Sequence, residues 1–436
     1  MKKSIEEINK KIRSGTAIVM SASEICDYVR FGKEVGIEDV DVVTTATRGL
    51  MSGTFVIFSI KITERNVFRK AKKILLNGVP AYAGPCPNER LGMVECIVYG
   101  TEHSEENPEE YGGGHLFRDI LEDKPIQIYI ETAEGKEIKK EINKSDIEFA
   151  KLVATRNAFK NYMAFTNKFS DSVKTIFHIK EFPGPLKEIS VCGCGEINPI
   201  EKDPSLSTIA IGTRILVNGA IGYIMDKGTR SSKDKPNISL FSNFLEMDPR
   251  LMGGFITSGG PEVINTIAIP IPIINESILE SVKKIDKDTK LPIAEIHDRI
   301  PFMYSSYDKI WQNNKLIIEY DPKACDQPIS MCVPWSEINQ RRRPCIILDL
   351  CPMKSYIDHK ENIFDLSNCF HCGICVQCPK NAFKANLGTI EIDNTEVPIT
   401  LRQSDKYTSV QQCNYLKEMI LKGKFLLSDP LEKIKY

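Results

Sequence analysis

Apolar residues recur at helix spacing near the start of the chain. Ile5, Ile8 and Ile12 lie three and four residues apart, which predicts an amphipathic helix over 5–12. In residues 39–49 apolar and polar positions alternate before Gly49, as is typical of a buried strand that runs into a tight loop. The chain therefore begins with a helix that precedes a sheet.

Further alternating or continuous apolar runs predict more strands. Residues 72–84 contain Asn77-Gly78 between two such runs, which predicts a hairpin. Strands are also expected at 126–132, 207–219 and 265–274. Pro270 and Pro272 place the last of these at a sheet edge or at the end of a strand. After residue 395 the pattern predicts a short strand followed by a helix, within 396–427.

Glycines gather where the predicted strands end, at 112–114, 193 and 195, 219 and 222, 253–254, and 259–260. Glycine is used where the backbone takes positive φ or approaches another group closely. None of these runs is a dinucleotide-binding or Walker A motif. The pattern predicts a mixed α/β (α+β) N-terminal domain whose glycine-rich loops surround a small-molecule pocket, although each glycine pair alone is typical of an ordinary turn.

Composition changes this picture little. The 436 residues are 42% apolar and 26% charged, with a formal net charge of −1, so no excess charge indicates nucleic acid or an anionic membrane as a partner. No apolar run is long enough to span a bilayer, and the charged N-terminus lacks the apolar core of a signal peptide. We expect a soluble, cytoplasmic protein.

The fourteen cysteines are informative about function, because a reducing compartment favours metal or thiol chemistry over disulfides. Eight of them fall between Cys325 and Cys378. This clustering predicts an α/β domain over 1–320 and a ferredoxin-like iron–sulfur domain over 321–395. A C-terminal strand–helix segment over 396–436 is expected to pack back on the first domain.

The spacing Cys369-x2-Cys372-x2-Cys375-x2-Cys378-Pro is close to the bacterial ferredoxin pattern. Three thiolates on one tight loop reach three irons of a cubane, and the fourth normally comes from a distant Cys-Pro. Cys351-Pro352 supplies that pair, so the sequence predicts one [4Fe–4S] cluster on Cys351, Cys369, Cys372 and Cys375. Zinc is the alternative metal, but zinc ribbons use two separated CxxC pairs.

A second cluster is possible on Cys378 with three upstream cysteines, Cys325, Cys332 and Cys345. The number of thiols suffices, but six residues separate Cys325 from Cys332, and two residues rather than three separate Cys375 from Cys378. A degenerate half-module is the alternative, and the sequence leaves one or two clusters open.

Several segments of the first domain resemble the archaeal homocysteine-biosynthesis family, and their fusion to a ferredoxin-like module resembles the methanogenesis marker 16 metalloproteins of methanogenic archaea. The resemblance extends over essentially the whole chain. It is carried by residues 41–51, 76–84, 110–121, 155–167, 203–229 and 267–278.

The resemblance implies sulfur chemistry: relatives are implicated in making homocysteine from aspartate semialdehyde through a cysteine persulfide, with electrons from a ferredoxin partner. In those relatives a cysteine follows the residue that matches Met51, whereas this chain has Ser52. A hydroxyl cannot form a persulfide, so another thiol would have to carry the sulfur.

Three thiols in predicted loops are the candidate catalytic residues: Cys192, Cys194 and Cys86. Cys192 is the first choice, with Cys194 as its accessory, because glycine N–H groups at 193 and 195 could lower the pKa of a thiol there. Each thiol is otherwise a small packing residue. Arginines suit a substrate carboxylate, and the candidates in the matched segments are Arg48, Arg156 and Arg214.

Two functions remain open. The first is a redox-linked sulfur-transfer enzyme that acts on a small carboxylate or aldehyde substrate and receives electrons from a redox protein partner through its cluster. The second is a non-catalytic electron carrier or assembly factor that docks on another protein. Ser52 favours the second, and the glycine- and arginine-containing segments favour the first.

Overall fold

The computed structural model describes residues 3–84, 88–311, 316–325, 347, 350–353, 357–358, 363–364, 366 and 369–436. Three cysteines of the sequence predictions, Cys86, Cys332 and Cys345, lie outside this part, as does the side chain of Cys325. The second cluster therefore stays a prediction.

Short helices alternate with many strands. The helices are α1 Ile5–Ser14, α2 Ala22–Arg30, α3 Gly113–Leu121, α4 Pro199–Lys202, α5 Glu276–Val282, α6 Pro322–Cys325 and α7 Lys406–Leu421. The first twelve strands are β1 Val19–Ser21, β2 Val42–Leu50, β3 Thr54–Lys61, β4 Ala71–Leu76, β5 Val79–Ala83, β6 Met93–Tyr99, β7 Ile126–Thr132, β8 Glu137–Ile142, β9 Ile147–Asn157, β10 Ala164–Thr166, β11 Ile189–Val191 and β12 Arg214–Val217. The others are β13 Ala220–Lys227, β14 Ile238–Asn243, β15 Gly253–Thr257, β16 Gly260–Pro272, β17 Lys290–Glu295, β18 Pro301–Ser306, β19 Glu319–Tyr320, β20 Ile357–Asp358, β21 Ile363–Phe364, β22 Phe383–Lys384, β23 Thr389–Ile392 and β24 Thr395–Arg402.

A large sheet of fourteen described strands forms the body of the protein. Its order is β1-β2-β16-β12-β13-β14-β9-β3-β6-β5-β4-β7-β8, with β15 added to β16. Only the β1–β2 pair is parallel among these described pairs. The fold is therefore mixed α+β with few helices, as the sequence predicts.

A second sheet has the order β18-β17-β10-β11-β24-β23. It joins strands from before residue 320 to strands from after residue 388, and β24 lies parallel to β11. Helix α7 then packs against β1, β2 and β16 of the large sheet. This second sheet crosses the predicted domain boundaries at 320 and 395, and the ferredoxin-like character of the cysteine-rich region stays a prediction.

The local patterns that the sequence offers are present. Helix α1 begins with a capping box between Ser4 and Glu7 and buries Ile8 and Ile12. Asn77 and Gly78 have φ values of 47° and 76°, as the turn between β4 and β5 requires. In α7, Cys413 is fully buried among apolar residues, as expected of a small packing residue.

Two strand predictions are corrected. Residues 207–213 are not a strand: the Asp203 carboxylate accepts the backbone N–H groups of Ser207, Thr208 and Ile209, which folds them into a turn. Strand β16 is interior in the sheet, so the edge alternative is wrong, whereas the prediction that the prolines terminate the strand is confirmed, because β16 ends at Pro272. Pro270 and Pro272 pair with β2 but lie beyond the β16 residues that pair with β12, so their missing N–H groups are tolerated.

The glycine clusters do not all surround one pocket. Helix α3 packs on β15 and β16 through Gly114, where a Cβ atom would lie 2.8 Å from the Gly253 carbonyl oxygen. The glycines at 112–114 and 253–254 therefore serve a close helix–sheet contact, which corrects the expectation of a shared pocket. Across the described ranges, no helix has the length and apolar character needed to cross a membrane.

Candidate active site and a cysteine-lined cavity

A cleft lies where the end of β2 meets the loop after β11 and the residues after β24. Its empty volume is about 770 Å³, including the part open to solvent. The Leu50 N–H donates to the Gln403 carbonyl at 3.2 Å, and the Gln403 N–H donates to the Val191 carbonyl at 2.8 Å. Gly49 permits this approach, since a Cβ atom there would lie 3.1 Å from the Gln403 carbonyl oxygen.

Cys192 lines this cleft and is 8% exposed. Its thiol donates to the Gln403 Oε1 atom at 3.1 Å, and its carbonyl accepts from the Tyr307 hydroxyl at 2.6 Å. Burial raises the pKa of the thiol well above its usual value. The Gly193 N–H donates to Ser404 Oγ at 2.8 Å. The prediction that this amide lowers the pKa of the Cys192 thiol is therefore wrong.

Three arginines line the same cleft: Arg156, Arg230 and Arg299. Arg156 donates to the Thr229 carbonyl at 2.6 Å, and its guanidinium lies over the Phe159 ring at 5.0 Å. Burial lowers the pKa of Arg156, and the positive charges of Arg230 and Arg299 lower it further. The cleft is therefore strongly positive.

One carboxyl group faces this positive lining among the described residues that form it. Glu262 of β16 is 4% exposed and hydrogen bonds with the Ser52 hydroxyl. Burial raises its pKa from 4.5 to about 7. Its Oε2 atom has no hydrogen-bond partner in the described part of the chain. A carboxyl group that titrates near neutral pH in a cleft is suited to donate or accept a proton.

The structure places the other candidates elsewhere. Cys194 is fully buried, with its thiol 3.5 Å from the Arg48 carbonyl oxygen and 3.4 Å from Ser409 Oγ. Arg48 is buried in an ion pair with Asp405 at 2.7 Å. Arg214 lines a different pocket, over the Phe425 ring at 4.8 Å. Of the six catalytic and substrate candidates, only Cys192 and Arg156 line the cleft, and Cys86 lies outside the described residues.

Sequence reasoning missed Arg230, Arg299 and Glu262. They belong to a loop after β13, a loop after β17 and strand β16, and only the folded sheets bring them together. Both arginines have positive φ, 55° and 59°. Positive φ at arginine is uncommon and has no signature in the sequence.

A second cavity lies beside the cysteine-rich loop, and its empty volume is about 380 Å³, including the part open to solvent. Cys351, Cys369, Cys372 and Cys375 all line it, whereas Cys378 does not. Gly373 between them has a φ of 83°, which the tight loop requires. Among the cysteines that the structure describes, the four thiols that the sequence groups together are thus the four that share one cavity.

The surroundings of these thiols fit an iron–sulfur cluster. The His371 N–H donates to Cys369 Sγ at 3.3 Å, and the backbone N–H of Ile374 hydrogen bonds with Cys372. Burial, and next the nearby Cys351 and Cys369 groups, raise the pKa of Cys372 well above its usual value. A bound metal reverses this preference because a coordinating thiol is deprotonated.

A cluster and a single metal ion require different arrangements of their ligands. Among the described residues, no three histidine, cysteine or acidic side chains converge closely enough to hold one metal ion. A cubane needs no such convergence, because each thiolate binds a different iron at a separate corner. Four thiols around one cavity are the donor set that such a cluster uses.

The end of β24 and the residues that follow it connect the two cavities. The Arg402 N–H donates to the Cys372 carbonyl at 2.9 Å, and the next residue, Gln403, accepts from the Cys192 thiol. Asp405 then contacts the His371 ring, with 3.2 Å between Oδ1 and Nδ1. Two hydrogen bonds and two adjacent residues thus join the cysteine-rich loop to the cleft thiol.

The chain is similar to several archaeal proteins. A protein of Methanothermobacter thermautotrophicus described as "Uncharacterized protein" is 40% identical over 425 residues, which cover 97% of this chain and 94% of that protein. An L-aspartate semialdehyde sulfurtransferase of Methanocaldococcus jannaschii is 30% identical over 338 residues (72% of this chain and 64% of that protein). A protein of the same description from Methanosarcina acetivorans is 32% identical over 298 residues (66% and 57%).

No solved structure gives a significant match. Residues 17–427, which include the cleft and the four thiols of the second cavity, match one family along almost the whole chain. The chain therefore belongs to the family described as "Homocysteine biosynthesis enzyme, sulfur-incorporation".

Proposed function

We propose that this protein is a sulfur-transfer enzyme that carries sulfur on Cys192 and delivers it to a small carboxylate-bearing aldehyde in the cleft. The observation that carries the proposal is the position of the Cys192 thiol in a cleft lined by three arginines. The family description and the two relatives described as L-aspartate semialdehyde sulfurtransferases support sulfur transfer as the type of reaction.

Each group in the cleft has a role in this proposal. Arg156, with Arg230 and Arg299, holds the substrate carboxylate and stabilises the anion of a persulfide sulfur that extends from Cys192. Glu262 supplies or accepts protons at the reacting carbonyl oxygen. Ser52, which cannot carry sulfur, holds the Glu262 carboxyl group in place.

The overall transfer needs reducing equivalents. The persulfide S–S bond and the aldehyde C=O bond break, and a C–S bond forms. Four electrons and four protons convert the persulfide and the aldehyde to a cysteine thiol, a thiol product and water. We propose a redox protein partner as the electron donor. A [4Fe–4S] cluster on Cys351, Cys369, Cys372 and Cys375 would supply one-electron transfer.

Persulfide mapping tests the proposal. The anaerobically purified protein is treated with an inorganic polysulfide, whose S–S bond breaks as sulfane sulfur passes to a thiolate and a shorter polysulfide leaves, and persulfides are located by mass spectrometry. We expect label on Cys192, and we expect Cys192→Ala to lose both the label and thiol formation from carboxylate-bearing aldehydes. Cys96→Ala is the matched control, because Cys96 is a fully buried thiol on β6 away from the cleft. Absence of persulfide from Cys192 would contradict the proposal.

One observation favours a second function, a non-catalytic electron carrier or assembly factor. Ser52 lies in the cleft at the position where the resemblance places the sulfur-carrying cysteine. In that case the cysteine-rich loop would retain iron, whereas no described thiol of the cleft would take up sulfur. The same persulfide experiment distinguishes the two functions.

A further inference from the structure

The three arginines that line the cleft indicate which kind of ligand it binds. None of Arg156, Arg230 and Arg299 forms an ion pair with a carboxylate of the described residues, whereas Arg30, Arg48, Arg118 and Arg250 all do. The polar contacts described for Arg156 are with the Thr229 carbonyl and the Tyr162 side chain, and Arg299 lies over the Phe177 ring at 4.9 Å. Three guanidinium groups thus face one cleft without an ion-paired carboxylate.

Glu262 does not offset this charge. It is the sole carboxyl group among the described lining residues, and it hydrogen bonds with Ser52. Because its pKa is raised to about 7, it bears only part of a negative charge at neutral pH. Burial lowers the pKa of Arg156, and the positive charges of Arg230 and Arg299 act in the same direction, against the Tyr162 side chain, which raises it.

The backbone at the cleft provides a second, independent observation. Asn161, Arg230 and Arg299 all line the cleft, and all three have positive φ, between 20° and 59°. Such conformations are costly for residues other than glycine, and they cluster at ligand-binding sites where the surroundings maintain them. Arg230 and Arg299, the two exposed arginines of the cleft, thus both have an energetically unfavourable backbone conformation.

We propose that the cleft binds a substrate with at least two anionic groups, such as a small dicarboxylate, in preference to a monocarboxylate or a zwitterionic amino acid. This proposal rests on the proposed function only in treating the bound anion as the substrate for sulfur transfer. Arg230 and Arg299, which are exposed at the cleft, receive one anionic group, and Arg156, which is half-buried, receives the other.

Calorimetric titration of the anaerobic, full-length protein tests this preference with three four-carbon probes. Succinate carries two negative charges, butyrate carries one, and L-2-aminobutyrate is a zwitterion. We expect succinate to bind roughly tenfold or more tightly than either of the others, because each charge-assisted contact adds substantially to affinity. We also expect its affinity to fall as salt is added.

Variants assign the effect to the cleft. Arg230→Gln and Arg299→Gln should each weaken succinate binding about tenfold and should weaken butyrate binding less. The succinate affinity of Arg230→Lys should be intermediate between those of the glutamine variants and that of the parent. Arg250→Gln is the matched control, because Arg250 is exposed and paired with Asp248 outside the cleft. Equal binding of the three probes, no measurable succinate binding, or unchanged affinity in both glutamine variants would overturn the proposal.

The result is separable from the persulfide experiment. Succinate preference without persulfide on Cys192 would reject sulfur transfer and leave the dianion site standing. Persulfide on Cys192 without succinate preference would reject the dianion site alone.

Discussion

Replacing Glu262 by glutamine should stabilise the protein at high pH and leave its stability unchanged at low pH. The carboxyl group is buried at the cleft, where its pKa is raised from 4.5 to about 7. The folded protein therefore binds this proton more tightly than the unfolded chain does. The stability that the protonated group confers is complete below pH 4.5 and is lost as the pH rises to about 7.

The magnitude follows from the pKa values. A change of one in a pKa is equivalent to about 1.4 kcal/mol, so ionised Glu262 costs the folded state about 3 kcal/mol above pH 7. Glutamine has nearly the same shape and no charge to bury. Glu262→Gln should therefore raise the free energy of unfolding by about 3 kcal/mol at pH 8 and by almost nothing at pH 4.

Urea unfolding of the parent and the variant at the two pH values measures this difference. Glu148→Gln is the matched control, since Glu148 is exposed on β9 and its replacement should change little at either pH. The reasoning is refuted if Glu262→Gln gives no gain at pH 8, or the same gain at pH 4 as at pH 8. Under the proposed function the stabilised variant should also lose activity, because the proton donor at the carbonyl is gone.

Three further predictions concern the cysteine-rich loop and the buried core. Anaerobically purified protein should contain about four irons per cluster together with acid-labile sulfide. Cys372→Ser should lose this iron and Cys413→Ala should keep it, whereas stoichiometric zinc without iron in the parent protein would contradict the prediction. Chelating the iron should increase hydrogen exchange in residues 369–388, measured by mass spectrometry, while β3, β6 and β9 stay protected. An equal increase in both regions would count against a local metal site. Arg48→Met should lower the free energy of unfolding by about 3 kcal/mol, because the buried Asp405 carboxylate loses its guanidinium partner and keeps the His371 ring and the Thr408 hydroxyl. A loss below about 1 kcal/mol in urea would argue against that ion pair.

The parts of the fold that local chemistry decides could be predicted from the sequence. Three isoleucines at helix spacing define the buried face of α1, and Asn77-Gly78 tolerates the positive φ values of its turn. The cysteine spacing likewise groups the thiols that line the second cavity. In each case the relevant residues are close together or carry a recognisable pattern.

The parts that depend on distant contacts could not be predicted. Residues 207–213 have an apolar pattern typical of a strand, but Asp203 captures their amides. Arg48 resembles a substrate anchor in sequence, yet Asp405, far along the chain, holds it in the core. Arg230 and Glu262 lie on separate elements, and only strand pairing in the large sheet places them at one cleft.

The position of Gln403 and Ser404 in the cleft has a consequence for the order of events during synthesis. Chains emerge from the ribosome N-terminus first, at roughly 5–20 residues per second. The four cysteines of the second cavity precede Gln403 in the chain, and β24, which carries Gln403 to Cys192, follows them. A nascent chain thus exposes all four thiols before the wall of the cleft exists, and the Cys192 thiol is enclosed only after those cysteines have emerged.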